Sequence, residues 1–134
     1  ETFRSAGAKA GQPATATERL RQAISDLVHF AAHAPELHRI MTQEGGQLSP
    51  RLVWLTENLT RRNFDELCRL IEDAQREGTV RPLSPGRLRF AIMAMTAVPF
   101  TVSAEYEFLM GKNPFSPGEI AATVDMITDM VLQP

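Results

Sequence analysis

The chain has 134 residues, with 14 basic and 16 acidic side chains, three His, one Cys and a formal charge of −2. That length makes one domain, at roughly 100–200 residues per domain, and the near-neutral balance argues against a chain that grips nucleic acid alone. A single Cys excludes an intrachain disulfide and a Cys-based zinc finger, and fits a reducing compartment such as the cytoplasm.

In chain order, residues 1–16 are rich in Ala, Gly, Ser and Thr and read as a linker or frayed end, leaving 17–134 as the folded domain. No signal peptide is visible, and a start at Glu1 reads as a fragment or a processed product. All eight Gly residues fall outside the long periodic segments, and of nine Pro residues only Pro99 lies deep inside one. That distribution suits helices joined by short loops, since Gly costs roughly 1 kcal/mol and Pro roughly 3 in a helix interior. Ser49-Pro50, Ser84-Pro85 and Ser116-Pro117 each set an N-cap hydroxyl before a Pro whose missing N–H costs nothing at the first helical position. Thr15 with Glu18, and Ser116 with Glu119, have capping-box spacing. Gly45, Gly78 and Gly111 each follow a periodic segment, where a left-handed residue ends a helix. The pattern predicts helices over 17–33, 35–44, 50–77, 85–110 and 117–132. The fold class is therefore all-α, a single bundle domain of about five to six helices.

The first helix buries Leu20, Ala23, Ile24, Leu27, Phe30 and Ala31 on one face. The third carries Leu52, Leu55, Leu59, Leu67, Leu70, Ile71 and Ala74, with Asn63 interrupting the row and a charged opposite side. The fourth is apolar nearly all round between Phe90 and Ala104, a stretch broken by Thr96, Pro99, Thr101 and Ser103 and too short to span a bilayer. Pro99 removes the hydrogen bond to the Met95 carbonyl and should kink this helix. In the last helix Ile120, Val124, Ile127 and Val131 form a stripe that Met126 and Met130 widen. Two terminal helices with more apolar surface than one small domain needs predict a homodimer, their antiparallel pair meeting its symmetry mate as a four-helix bundle. Val102, Phe108, Ile120, Val124, Ile127 and Val131 are the expected interface. From Val102 onward five acids stand against Lys112 alone, a poor surface for nucleic acid.

The run from His33 through Ala34, Pro35, Glu36, Leu37, His38, Arg39 and Ile40 to Met41, closed by Glu44, resembles a helix junction of TetR-family transcriptional regulators. The exit Glu77-Gly78-Thr79-Val80-Arg81 is similar to that family's acid-Gly-x-aliphatic-Arg pattern. The resemblance runs from Thr17 to Leu132 and rests on helix order, helix lengths and these two junctions. It implies an effector-sensing and dimerisation domain of a repressor of the bacterial cytoplasm, separated from the N-terminal helix-turn-helix that would read DNA. The acidic-to-neutral charge is what such a regulator keeps without its basic head.

A pocket of that family's kind would lie among the first, third and fourth helices. Phe30, His33, Leu55, Phe64, Phe90, Met93, Thr96 and Phe100 would line it, with Asn63 or Asn58 fixing orientation, for a small lipophilic or aromatic effector. Each of these side chains taken singly reads more readily as ordinary core. His29 and His33, one turn apart with Asp26 on the same face, have a spacing that could hold a metal, yet no further motif completes a set, so neither metal nor cofactor is expected. Trp54 either packs on a neighbouring helix or lines a groove, and Cys68 reads as a buried inert thiol. With no phosphate loop, nucleophile elbow or carboxylate dyad, the chain does not read as an enzyme. The alternative from another class is a helical protein–protein interaction module unrelated to transcription.

Overall fold

A computed structural model describes residues 14–133. Of the linker expected over 1–16, residues 1–13 lie outside the described residues. The elements run α1 (Ala16–His33), α2 (Pro35–Glu44), α3 (Pro50–Leu55), a π-helical turn (Thr56–Thr60), α4 (Arg61–Arg76), α5 (Pro85–Thr101), α6 (Ser103–Met110) and α7 (Pro117–Val131). Regular structure among the described residues is helical throughout, so the all-α reading holds.

Sequence signals set most of these boundaries. Thr15 and Glu18 form the reciprocal capping box: the Glu18 N–H donates to the Thr15 hydroxyl at 3.0 Å and the Thr15 N–H to the Glu18 carboxylate at 2.9 Å. The Ser49, Ser84 and Ser116 side chains accept from the backbone three residues on, each ahead of a Pro. Gly78 (φ 86°) and Gly111 (φ 69°) take the left-handed conformation. Gly45 does not: its φ of −69° leaves it in the right-handed region, and α2 runs out through a turn instead. Ser116 forms only half of its expected box. Its hydroxyl accepts from Glu119 N, but the Glu119 carboxylate turns away to accept from the Tyr106 hydroxyl at 2.8 Å and to face the Lys112 ammonium at 3.7 Å, which ties α6 to α7.

Two predicted helices are broken. The helix expected over 50–77 is interrupted by the π turn at Thr56–Thr60. A π turn holds more residues than an α turn, so the faces before and after it are rotated against each other. Leu59 accordingly stands exposed while Leu67, Ile71 and Ala74 are buried, and the row read straight through Asn63 is not one row. The helix expected over 85–110 passes Pro99 and breaks at Val102 (φ −117°, ψ 43°). The Thr101 carbonyl there accepts from the Arg39 guanidinium of α2, and the Thr101 hydroxyl donates back to the Val98 carbonyl, an internal bond that bends helices.

α1 is the centre of the bundle and packs against α4, α5 and α7. Its Leu20, Ile24, Val28 and Ala31 have no accessible surface. Ile71, Ile92, Phe100 and Ile127 meet them from the surrounding helices in one continuous core. The lower end is tied by the Glu77-Gly78-Thr79-Val80 corner. The Glu77 carboxylate accepts from the Ala16 N–H (2.8 Å), the Thr17 N–H (3.0 Å) and the Thr17 hydroxyl (2.5 Å), satisfying donors at the N-terminus of α1 that have no helical partner. Thr79 N–H closes α4 on the Ala74 carbonyl, while the Thr79 carbonyl accepts from Gln133 N–H at 2.7 Å. Val80 is buried beneath.

The hydrogen bond from the Thr17 hydroxyl, followed by the backbone donors, holds the Glu77 carboxyl below the usual carboxylate range. A depressed folded-state value stabilises the fold above the unfolded value and is lost as pH falls through the folded one. Glu77→Gln should therefore lower stability at pH 7, because a neutral amide accepts these donors less strongly than a carboxylate. It should also flatten the acid-side loss of stability below about pH 4.3. Urea melts of the two proteins at pH 7 and pH 3.5 measure both effects.

Candidate functional site

The predicted pocket residues fall in separate places. Phe30 is exposed near the top of α1 and meets the His38 ring edge-on, centroids 6.0 Å apart. His33 is exposed, its Nδ1–H on the His29 carbonyl at 2.9 Å, and Asn63 is exposed as well. Leu55 and Met93 are half-buried. Thr96 and Phe100 have no accessible surface: the Thr96 hydroxyl donates to the Met93 carbonyl at 3.0 Å, and Phe100 packs on Phe115 with centroids 5.4 Å apart. Of the nine, only Phe64 and Phe90 form an aromatic pair with each other, centroids 6.3 Å apart and planes tilted by 58°.

That pair forms a corner between α4 and α5 around a residue the sequence reading passed over. The Arg89 guanidinium carbon lies 4.9 Å from the Phe90 ring centroid and 5.3 Å from that of Phe64. Arg89 is only 7% exposed, and its Nε has no hydrogen-bond partner among the described residues. Burial pushes its pKa below the ordinary arginine value. The neighbouring Cys68 thiol is pushed up, by burial first and then by the Glu72 charge. The signal for Arg89 was present in the spacing. It precedes Ile92, Thr96 and Phe100 at steps of three, four and four, which is the face of α5 that is buried. An Arg at a helix start next to exposed Arg87 reads as solvent-facing unless that register is followed.

A second feature is an open cleft of about 640 Å³ along α3 and the π turn, lined by Leu48, Ser49, Pro50, Val53, Trp54, Glu57 and Asn58. None of the nine predicted pocket residues lines it, although Asn58, the alternative orienting group, does. The Asn58 amide donates to the Trp54 carbonyl at 2.8 Å and so holds the indole's backbone within the irregular turn. Trp54 is therefore a groove residue.

The expected dimer face divides in two. Ile127 has no accessible surface and Val131 has 6%, so both belong to this chain's own core; α7 presses them towards α1. A side chain with no exposed surface has none to give to a partner. Ile120 and Val124 are half-buried against the same core. Val102 and Phe108 are exposed, and Leu109, Met110, Met126 and Met130 are exposed with them.

Other chemistry is confined. His29 and His33 each use Nδ1 on a backbone carbonyl one turn back, and Asp26 accepts from Gln22. Among the described residues no three His, Cys, Asp or Glu side chains stand close enough to hold a metal ion, and no helix is long and apolar enough to cross a membrane.

A core centred on the first helix, a long helix ending in a glycine corner and an apolar helix behind it match a known domain family. The family described as tetracyclin repressor-like, C-terminal domain, matches residues 13–99, from the start of α1 through most of α5. The chain belongs to this family. The tetracyclin repressor-like C-terminal domains are parts of transcriptional regulators, with a general role in ligand binding and dimerisation, and such regulators are generally not enzymes. No curated protein matches the chain.

Trp54 is the sole tryptophan, so its fluorescence reports the cleft. With 59% of its surface exposed, it should emit at the wavelength of a hydrated indole and be quenched efficiently by acrylamide. A blue-shifted, quencher-resistant emission would show that the cleft is covered in solution.

Proposed function

We propose that this chain is the effector-sensing and homodimerisation domain of a TetR-like transcriptional repressor acting in the bacterial cytoplasm. The observation that carries the reading is the band of large apolar side chains left open on α6 and α7. Phe108 is 88% exposed, and Leu109, Met110, Met126 and Met130 each expose half or more of their surface. Large apolar side chains left exposed in this number mark an interaction site, and a closed pairing of two identical faces covers them at both copies. α6 and α7, clasped by the Tyr106–Glu119 hydrogen bond, supply two helices from each copy to a four-helix bundle. Val102 extends the face towards α5, while Ile120 and Val124 support it from below.

The effector is a small lipophilic or aromatic compound. Its site is the aromatic corner of α4 and α5, where Phe64 and Phe90, with half-buried Met93 on the same helix, take its apolar body. Phe30, His33, Leu55 and Asn63 stand elsewhere, and Thr96 and Phe100 are fully buried, so they are not part of this corner. In the whole regulator a helix-turn-helix unit preceding this chain reads DNA, and effector binding changes the separation of two such units held by the dimer. Membership of the tetracyclin repressor-like family supports this reading over the helical interaction module.

Replacing Met126 and Met130 together by Glu should give a folded monomer with unchanged helical circular dichroism. Ile127→Glu should instead unfold the chain, because an unpaired charge enters the core, at a cost of about 4 kcal/mol or more. Sedimentation velocity at micromolar concentration separates these outcomes, and a clean monomer for the unaltered chain overturns the dimer.

A further inference from the structure

Among the described residues Arg89 has no counterion. Its surface is nine-tenths covered, its Nε finds no acceptor, and no ion pair or side-chain hydrogen bond among the described residues engages the guanidinium. Arginine does not escape burial by losing its proton at neutral pH, and burying a charge unpaired is costly. The ionisable neighbour bearing on it, Cys68, is a thiol held in its neutral form by its own burial, so it supplies no negative charge. The rings of Phe64 and Phe90 attract the cation through their π faces, but such contacts do not use its N–H donors. Viewed from the guanidinium carbon, the two rings lie less than a right angle apart, since they are 6.3 Å from each other and 4.9 and 5.3 Å from it. Both therefore flank one side of the cation and leave the rest of its donor edge uncovered by aromatic faces.

We propose that Arg89 is the anchor for a carboxylate: the effector of this domain is a small organic acid whose carboxylate takes the free N–H edge of Arg89 while its apolar body lies against Phe64 and Phe90. The inference rests on the effector-binding reading above and adds the charge and orientation of the ligand. A planar guanidinium pairs two parallel N–H donors with the two oxygens of a carboxylate, a fit that a neutral amide or ester does not reproduce. Phe90, itself 64% exposed, is the ring free to close over the bound acid. An acid that fills the site binds the folded chain alone and so stabilises it by mass action.

The test uses octanoate and 4-butylbenzoate against their neutral amides, octanamide and 4-butylbenzamide, followed by calorimetry and thermal shift on the wild-type chain and on Arg89→Met and Arg89→Lys. The acids should bind the wild type at least tenfold more tightly than the amides. Arg89→Met should abolish that preference, leave amide binding unchanged and melt, without ligand, no lower than the wild type. Arg89→Lys should keep part of the preference. Equal affinity for acid and amide in the wild type overturns the carboxylate anchor and leaves the apolar pocket standing, whereas failure of all four probes overturns both. A lower melting temperature for unliganded Arg89→Met, with acid preference retained, makes the residue a packing element only. A changed dimer dissociation constant with unchanged ligand affinity gives the guanidinium to a carboxylate of a second copy, and likewise overturns the proposal.

Discussion

The fold depends on the burial of one stripe. Leu20, Ile24, Val28 and Ala31 of α1 are sealed by α4, α5 and α7 together, so each neighbour is positioned by the same four side chains. Burying a Leu, Ile or Val side chain contributes roughly 1.5–3 kcal/mol, and three of the four are of that size. The Glu77 corner then fixes where the stripe begins. Its carboxylate holds the first N–H groups of α1, its glycine turns the chain out of α4, and the next residue accepts from the chain's far end at Gln133. A motif that reads as a family signature is thus a structural tie among three segments, and its acid is needed for its oxygens.

The tie acts at one end only. Below, α1, α4 and α7 close tightly. Above, α2 leans on α5 through Arg39, and α3 with its π turn projects past the core, leaving Val53, Trp54 and Leu59 exposed. This asymmetry follows from length. From Pro50 to Arg76 the third rod is longer than the 18 residues of α1 against which it packs, so its first turns have no helix beside them.

Much of this was legible in the sequence because helix ends are written in local chemistry. A Ser before a Pro, or a Gly after an amphipathic run, constrains its own backbone, so the starts at Pro50, Pro85 and Pro117 and the left-handed ends at Gly78 and Gly111 stand where their residues require. What escaped is decided by partners distant in sequence. Glu119 abandons its cap because the Tyr106 hydroxyl is within reach, and α5 ends at Val102 where Arg39 takes the Thr101 carbonyl. Ile127 illustrates the same limit at the site. Periodicity places it on an apolar stripe of α7, but the packing of α1 decides that this stripe faces inward and that Met126 and Met130 face out. In α5, apolar on most sides, the register that carries Ile92, Thr96 and Phe100 inward also carries Arg89, and only the packing of α1 and α4 distinguishes that register from its neighbours.

α5 is where these constraints meet. One side carries Ile92, Thr96 and Phe100 into the core, its first turns hold Arg89 over the aromatic corner, and its outer side exposes Phe90, Val98 and finally Val102. Communication between a bound effector and a dimer face requires an element with two arrangements that both sites bias. The core-facing side of α5 cannot supply it, because its buried side chains are interlocked with α1 in close packing. The break at Val102 can. There the backbone leaves helical geometry (φ −117°, ψ 43°), Pro99 has removed one donor a turn earlier, and the Thr101 carbonyl is held by exposed Arg39 bonds of 3.4 Å. On the proposed reading, an effector that draws α5 towards α4 through Arg89 loads this junction, and α6 beyond it carries Phe108 and the rest of the open apolar face. This irregular junction lies between the unpaired charge and the open apolar surface, which is the place a coupling free energy of about 1–3 kcal/mol can act without unfolding the core.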